Sequence, residues 1–339
     1  MPSMWSSAKR RKATLAIKKK KLSQSNPNLS LPDDLILSIF ARISRLYYPT
    51  ISLVSKSFRF LLASPDLYKA RSLLGRNETC LYVCFHFFPG PKPHWFTLCR
   101  KPDRTLTNDT SKMKKSGSGY VFATVPFPHS PPPHAKSSSL VVVGSDIYNI
   151  GGSDGSLSVS ILDCLSHMWR EAPSLQVKLL SLSASVLDRS KIYVAGRCKD
   201  GNGYSNSFKN LCEVFDTRTQ VWDAEPISCS ETKCDFYKCE SACVDGKFHV
   251  VTAPHGEIVA YDSKEGRWDQ VGREMGEIMI SDSYCEIENV LYHADPRAFK
   301  WYDNEMRKWK KLWGLVGLPR IPLLCSVILA DYGGKITVL

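Results

Sequence analysis

Residues 139–152 read SLVVVGSDIYNIGG: two apolar runs lie on either side of Gly144-Ser145, and the stretch ends in a glycine pair. Each run is rich in Val, Ile or Tyr and is bounded by turn-forming residues, which predicts two short β-strands. A further strand is predicted at residues 159–163 and is followed by Trp169. Two strands, a glycine pair, a third strand and a tryptophan therefore make up one unit.

The same unit is present four times. The tryptophans that mark its outer strand are separated by 53, 46 and 41 residues, and they are Trp169, Trp222, Trp268 and Trp309. The glycine pair is complete at Gly151-Gly152, becomes Ala195-Gly196 in the second unit, and is lost in the last two. Glycine permits tight packing or positive φ where the second strand ends, and Tyr261-Asp262 marks a turn before the tryptophan strand. A period of about 50 residues predicts repeated four-stranded sheets.

One such sheet cannot cover both of its faces, so we expect the sheets to stack around an axis as a β-propeller of about five to six blades. The units resemble kelch repeats. That resemblance gives structural roles to Gly151, Gly152, Trp169, Gly196, Trp222, Tyr261, Trp268 and Trp309.

The closure of the propeller is open at this stage. Residues 326–339 resemble the first two strands of a further blade with no tryptophan strand after them. Predicted strands at 80–87 and 95–99 would complete that blade from the other end of the chain; an incomplete C-terminus is the alternative. Residues 100–138 are rich in Ser, Pro and Lys, and we expect a long loop there.

A different pattern occupies residues 26–72, which we assign to a small all-α module ahead of the repeat domain at 73–339. Apolar residues recur at three- and four-residue spacing from Leu35 to Ile43 and from Pro49 to Leu62, and a third short helix is predicted to begin at Ser64. Three helices in about 45 residues bury too little apolar surface to be stable on their own, so we expect a partner to cover part of their surface.

The module also carries a resemblance. The strings LPDDL (31–35), VSKSFR (54–59) and SPDLY (64–68) resemble the F-box motif, and with the repeats they resemble the plant F-box/kelch-repeat family. This implies contacts with the Skp-type adaptor of a cullin-RING ubiquitin ligase through Leu31, Pro32, Leu35, Ile39, Val54 and Phe58. Spaced apolar anchors on a helix fit a hydrophobic groove. The alternative is that these side chains form a core against the repeat domain.

Positive charge is concentrated in residues 1–25, which we assign to a disordered tail. Two clusters in it fit a nuclear import signal and so an import receptor as partner; they are Lys9, Arg10, Arg11, Lys12, Lys18, Lys19, Lys20 and Lys21. A solvated tail without a specific reader is the alternative. The clusters equally fit a tail attracted to nucleic acid, but the rest of the chain is only mildly basic, so we do not expect nucleic acid as the main partner. Scattered cysteines and the lack of a long apolar run favour an intracellular protein, in nucleus or cytoplasm, without membrane contact.

Little in the sequence indicates catalysis. Four cysteines lack the closely spaced pairs that are typical of zinc sites, which favours buried or loop thiols; they are Cys229, Cys234, Cys239 and Cys243. We interpret His249 and His255 in the same way, as residues that do not bind a metal. No nucleotide-binding or hydrolase motif is present, so we expect no catalytic residue, cofactor or metal. An enzyme would need a cluster of titratable groups in the propeller channel.

These observations predict the substrate-recognition subunit of an SCF-type E3 ubiquitin ligase. The F-box would bind the Skp-type adaptor, and the propeller would bind an unknown protein destined for ubiquitination and proteasomal degradation. Loops at 153–156 and 199–207, rich in Gly, Asp and Ser, are candidates to face this target. The alternative is a kelch interaction scaffold that acts outside a ligase; adaptor binding distinguishes the two.

Overall fold

A computed structural model describes most of the chain after the basic tail. The described residues are 31–76, 78–87, 90, 92–100, 119–125, 127, 132–151, 155–199, 207–229, 235–252, 257–279, 284–295, 297–315 and 327–339. The eight predicted import residues, Gly152, Cys234, His255 and most of the two candidate target loops lie outside these ranges.

The N-terminal module is helical, as predicted, with one difference in its second helix. Its helices are α1 (Asp33–Phe40), α2 (Tyr48–Ile51), α3 (Lys56–Ala63) and α4 (Pro65–Leu73), with a 3-10 turn at Arg45–Tyr47. The helix predicted from Pro49 to Leu62 is divided into α2 and α3. The division follows from Ser55, whose hydroxyl accepts a hydrogen bond from Phe58 N at 3.0 Å and so begins a new helix.

The module has a small core of its own. Its buried apolar side chains are Phe40, Ala41, Tyr48, Leu61, Leu62 and Leu67. Arg71 is buried among them, donates to Ile43 O and Tyr48 Oη at 2.9 and 2.8 Å, and pairs with Glu78 at 2.8 Å. This network ties the last helix to the chain that enters the first strand of the propeller.

The repeat domain forms a five-bladed propeller. The first blade is β4 (Leu140–Val143), β5 (Asp146–Ile150), β6 (Val159–Asp163) and β7 (Met168–Ala172). The second is β8 (Leu180–Leu187), β9 (Lys191–Lys199), β10 (Phe208–Asp216) and β11 (Val221–Trp222), with β12 (Ile227–Ser228) also paired to β10. The third is β13 (Cys239–Val244), β14 (Lys247–Thr252), β15 (Glu257–Asp262) and β16 (Arg267–Val271). After a short helix α5 (Gly276–Met279), the fourth is β17 (Tyr284–Ile287), β18 (Val290–Asp295), β19 (Ala298–Asp303) and β20 (Lys308–Lys311).

The fifth blade combines strands from both ends of the domain. These are β1 (Tyr82–His86), β2 (Pro93–Arg100) and β3 (Tyr120–Thr124) with β21 (Leu329–Asp331) and β22 (Ile336–Val338). Trp95 of β2 packs on Trp169 of the first blade at 5.7 Å, while Leu329 of β21 packs with Ala294 of the fourth. The predicted loop at 100–138 is therefore wrong in part, because β3 pairs along β2.

The structural positions of the repeat have several different roles. Gly151 has φ +74°, and a Cβ there would lie 2.5 Å from Leu182 of the second blade. Gly196 has ordinary φ but abuts Leu179, 3.0 Å from an added Cβ. Trp222 Nε1 donates to Pro173 O at 2.8 Å, and Trp309 Nε1 donates to Glu274 O at 2.9 Å. Both acceptors lie on the connection that leaves the preceding blade, so these tryptophans join neighbouring blades.

The remaining three described repeat positions, Trp169, Tyr261 and Trp268, lie in aromatic packing within and between blades. Tyr261 stacks on Trp268 within the third blade at 5.2 Å and on Tyr193 of the second blade at 6.1 Å. Trp169 lies between the first and fifth blades. The sheets therefore stack through aromatic pairs as well as through aliphatic side chains.

Candidate adaptor-binding and target-binding surfaces

Most of the predicted adaptor contacts are exposed on the module. Leu35 and Ile39, four residues apart, lie on the same face of α1, and Leu31 lies two residues before that helix begins. Leu31, Leu35 and Ile39 are 54%, 52% and 47% exposed. Pro32 and Val54 are also exposed. Phe58 is half-buried, because its ring packs edge to face on Phe40 at 5.0 Å. These values include the propeller, so these side chains do not form a core against it.

The open apolar surface is larger than the sequence pattern indicated. Leu53 and Phe60 are each 76% exposed and flank the predicted contacts in the chain. Leu53 belongs to the apolar stripe that the spacing predicts as one helix, whereas Phe60 is not one of its spaced residues. The division at Ser55 changes which residues of that stripe face the module core, so a single helical period could not place them.

A second region of the module contacts the propeller through Arg45. Its guanidinium donates to Cys80 Sγ at 2.7 Å and to Cys164 O at 2.8 Å, and lies 3.4 Å from Tyr82 Oη. Tyr82 also donates to Cys164 O at 3.0 Å. Tyr68 of α4 donates to Leu165 O at 2.7 Å. We call Arg45, Tyr68, Tyr82, Cys164 and His167 the joint.

His167 completes the joint as a neutral group. Its Nε2 lies 3.0 Å from Tyr82 Oη and 3.5 Å from Arg45 Nη2. Burial, with the charge of Arg45 beside it, lowers the pKa of His167 to about 4. An uncharged imidazole avoids repulsion from the buried guanidinium. No local pattern predicts this cluster, because its members are up to 122 positions apart in the chain.

The joint decides which end of the propeller the module occupies. Cys164, Leu165 and His167 form the turn between β6 and β7, and strand direction alternates within a blade. The turn from β5 to β6, which begins at Gly151, therefore lies at the opposite end, as does the loop from β9 to β10. Of the two candidate target loops, the described residues Gly155, Ser156, Lys199 and Ser207 therefore lie at the end away from the module.

Catalytic and metal-binding chemistry has little support in the described part of the chain. No group of three or more His, Cys, Asp or Glu gathers there as a metal site. Burial raises the pKa of the Cys239 and Cys243 thiols, which opposes formation of a nucleophilic thiolate. Burial lowers the pKa of His249 to about 4. Among the described helices, none has the length and apolar character needed to span a bilayer.

Comparison with known proteins agrees with both parts of this architecture. The family model described as FKB95, Kelch-repeats domain, matches residues 95–339, and the F-box domain model matches residues 28–70. The F-box/kelch-repeat protein At5g51250 of Arabidopsis thaliana is 69% identical over 314 residues, covering 91% of this chain and 83% of that protein. The putative F-box/kelch-repeat protein At5g38680 of the same plant is 57% identical over 297 residues, covering 86% and 81%.

A helical docking module with an open apolar side, joined to a five-bladed propeller, defines an adaptor class of protein-binding receptor. An F-box implies binding to a Skp-type adaptor. The chain belongs to the F-box/kelch-repeat family, which confirms the resemblance drawn from the LPDDL and VSKSFR strings and the tryptophan repeats.

Proposed function

We propose that this protein is the substrate-recognition subunit of an SCF-type cullin-RING ubiquitin ligase and is not itself an enzyme. The observation that carries the proposal is the row formed by Leu31, just before α1, and by Leu35 and Ile39 on α1, which stays about half exposed although the propeller is attached. Exposing contiguous apolar side chains is unfavourable in water, and such surfaces usually mark protein interfaces. A groove on the adaptor would cover this row.

The joint supports the second half of the proposal. It fixes the module at one end of the propeller, so a target bound at the other end is held at a defined distance from the adaptor. A receptor of this kind acts by proximity, because it raises the effective concentration of the target near the conjugating enzyme. Ubiquitin transfer would then be carried out by other subunits.

The protein would act in the cytoplasm, the nucleus or both. The proposal of nuclear import is supported by the basic clusters at 9–12 and 18–21, which lie outside the described residues. Replacing the eight cations with Gln in a fluorescently tagged full-length chain should shift the protein toward the cytoplasm if an import receptor reads them. An unchanged distribution would leave a solvated tail as the better account.

Adaptor binding tests the main proposal directly. Purified full-length protein should retain a Skp-type adaptor in a pull-down, and the double substitution of Leu31 and Pro32 to Ala should abolish this. Leu73→Ala is the matched control, because Leu73 is an exposed leucine of the same module outside the predicted contacts. If folded wild-type protein retains no adaptor, a kelch scaffold outside a ligase becomes the better account.

A further inference from the structure

Arg197, near the end of β9, is held between two aromatic rings at the propeller end away from the module. Its guanidinium lies 4.2 Å from the ring centre of Phe208 and 4.4 Å from that of Tyr237. Tyr237 is 59% exposed, whereas the Arg197 side chain is 15% exposed. We call these three residues the arginine stack.

The stacked guanidinium of Arg197 has more hydrogen-bond donors than partners among the described residues. Within the described ranges its one ion pair is with the exposed Asp235, at 3.9 Å, and its buried Nε has no hydrogen-bond partner. A guanidinium has five N–H donors in a fixed planar fork that matches a carboxylate. An unpaired donor on a largely buried charged group is costly. An incoming acceptor that forms a hydrogen bond with the guanidinium would therefore stabilise the arginine stack.

A cavity of about 210 Å³ lies beside the stack. Lys238, which follows Tyr237 of the stack, lines it together with Ser181, Leu182 and Glu240. The strand that carries Arg197 borders the same space, since Gly196 packs against Leu179 of the cavity wall. The stack and the cavity are therefore joined through neighbouring residues of the chain, and we call the stack and the cavity lining together the basic end surface.

Among the described residues of the basic end surface, cations outnumber carboxylates. Lys178 lies against Gly155 at the cavity rim, and Lys199 pairs in register with Phe208 of the stack. Lys178, Lys199 and Lys238 are all exposed. The carboxylates next to them are Asp235 and Glu240. Charge of one sign beside a concave site favours a partner of the opposite sign.

We propose that the basic end surface binds an acidic segment of the protein target, with a Glu or Asp carboxylate seated on the arginine stack. Stacking keeps the guanidinium plane fixed, so less side-chain freedom is lost when the carboxylate binds. The lysines around the cavity attract neighbouring acidic side chains. This inference rests on the proposed function, because it names the kind of target that the propeller receives.

A peptide titration tests the inference independently of adaptor binding. The protein is the full-length chain in which the eight tail cations are changed to Gln, so that the tail does not capture the probe. The probe is a fluorescein-labelled peptide of alternating Glu and Gly, compared with one in which Gln replaces Glu, and fluorescence anisotropy is followed at low and high salt. The Glu peptide should bind, the Gln peptide should not, and added salt should weaken binding.

Variants locate the binding site. Arg197→Ala should weaken binding of the Glu peptide roughly tenfold or more, and Arg197→Lys should restore it only in part, because an ammonium lacks the planar fork. Tyr237→Ala is the second test, since an exposed side chain can be removed with the fold intact; it should weaken binding too. The matched control is Arg218→Ala, an exposed arginine in the turn between β10 and β11 at the module end, which should bind like the parent.

Several outcomes would overturn the inference. These are no binding of the Glu peptide by folded parent protein, equal binding by the Arg197, Tyr237 and Arg218 variants, or displacement of the peptide by a single-stranded oligonucleotide that binds the stack more tightly. Failure here with adaptor binding intact would leave the proposed function in place. Loss of adaptor binding with peptide binding intact would instead remove the ligase role alone.

Discussion

The apolar side chains of α1 and α3 and those between the blades of the propeller differ in how far they are covered. In the third blade, Phe248, Val250 and Val259 are completely buried between neighbouring sheets. In the module, Leu35 and Phe60 keep half or more of their surface in water. A ring of blades supplies each sheet with two covering neighbours, whereas a few short helices have only a small core and the joint. The blade interfaces are therefore covered within the chain, whereas the exposed apolar side chains of the module are available to another protein, as the F-box implies.

Two arginines, Arg45 and Arg197, differ in a similar way in how their hydrogen-bond donors are used. Arg45 in the joint reaches a thiol, a carbonyl and a hydroxyl on the propeller, so its donors are used within the chain. Arg197 is held by ring faces, and its one ion pair among the described residues is long. The same side chain thus fixes two parts of one molecule in the first case, and in the second offers donors to a partner.

Phenylalanine truncation in the two regions gives the largest expected difference. Phe248→Ala should lower the free energy of unfolding by about 3–5 kcal/mol, because it removes a fully buried ring and leaves a cavity. Phe60→Ala, the same chemical change at a 76% exposed site, should change it by about 0.5 kcal/mol or less. Urea unfolding followed by circular dichroism measures both. Comparable losses would mean that Phe60 is covered in solution and would remove the contrast.

Removing the contacts of Arg45 in the joint should change stability by less than the truncation of Phe248. Arg45→Ala should lower the free energy of separating the module from the propeller by about 2 kcal/mol, since hydrogen bonds from a charged donor are lost. The change should appear as faster proteolytic cleavage between module and propeller. Adaptor binding should persist, because none of the predicted contacts touches Arg45.

Arg42→Ala is the control for the joint, since Arg42 is exposed and three residues from Arg45. Its cleavage rate should equal that of the wild type. Equal rates for the Arg45 and Arg42 variants would show that the contacts of Arg45 do not hold the module in place.

Local sequence patterns predicted the repeated blades and the helical module, but they did not predict the features that residues distant in the chain form together. The tryptophan units predicted four blades, and strings such as LPDDL predicted the module, because each carries its own periodicity. Strand β3 was missed because Tyr120–Thr124 follows a Ser- and Lys-rich stretch, and its pairing with β2 is a tertiary contact. Arg45 and Arg197 carry no sequence signal, since a single cation in a short segment usually lies in water. Their roles depend on rings and carbonyls brought in by folding.

The last comparison concerns the pH dependence of the free energy of unfolding. Burial and the adjacent Arg45 lower the pKa of His167 to about 4, while burial lowers that of His249, in the third blade, to about the same value. Below the ordinary histidine pKa of about 6.5, these histidines are protonated in the unfolded chain and still neutral in the folded chain. The free energy of unfolding should therefore decrease as the pH is lowered from about 6.5 to 4, by up to about 1.4 kcal/mol per pH unit for each histidine.

Replacing His167 removes one of these two contributions. Asn is the suitable substitute, because position 167 has φ +56°, a conformation that Asn tolerates. His167→Asn should give a shallower decline in unfolding free energy from pH 6.5 to 4, and His249→Gln should do the same from within the propeller. Urea midpoints at several pH values measure both slopes. Two unchanged slopes would show that neither imidazole is held neutral. A change for His249 alone would place His167 in contact with water, and the joint would then be more open than the contacts of Arg45 indicate.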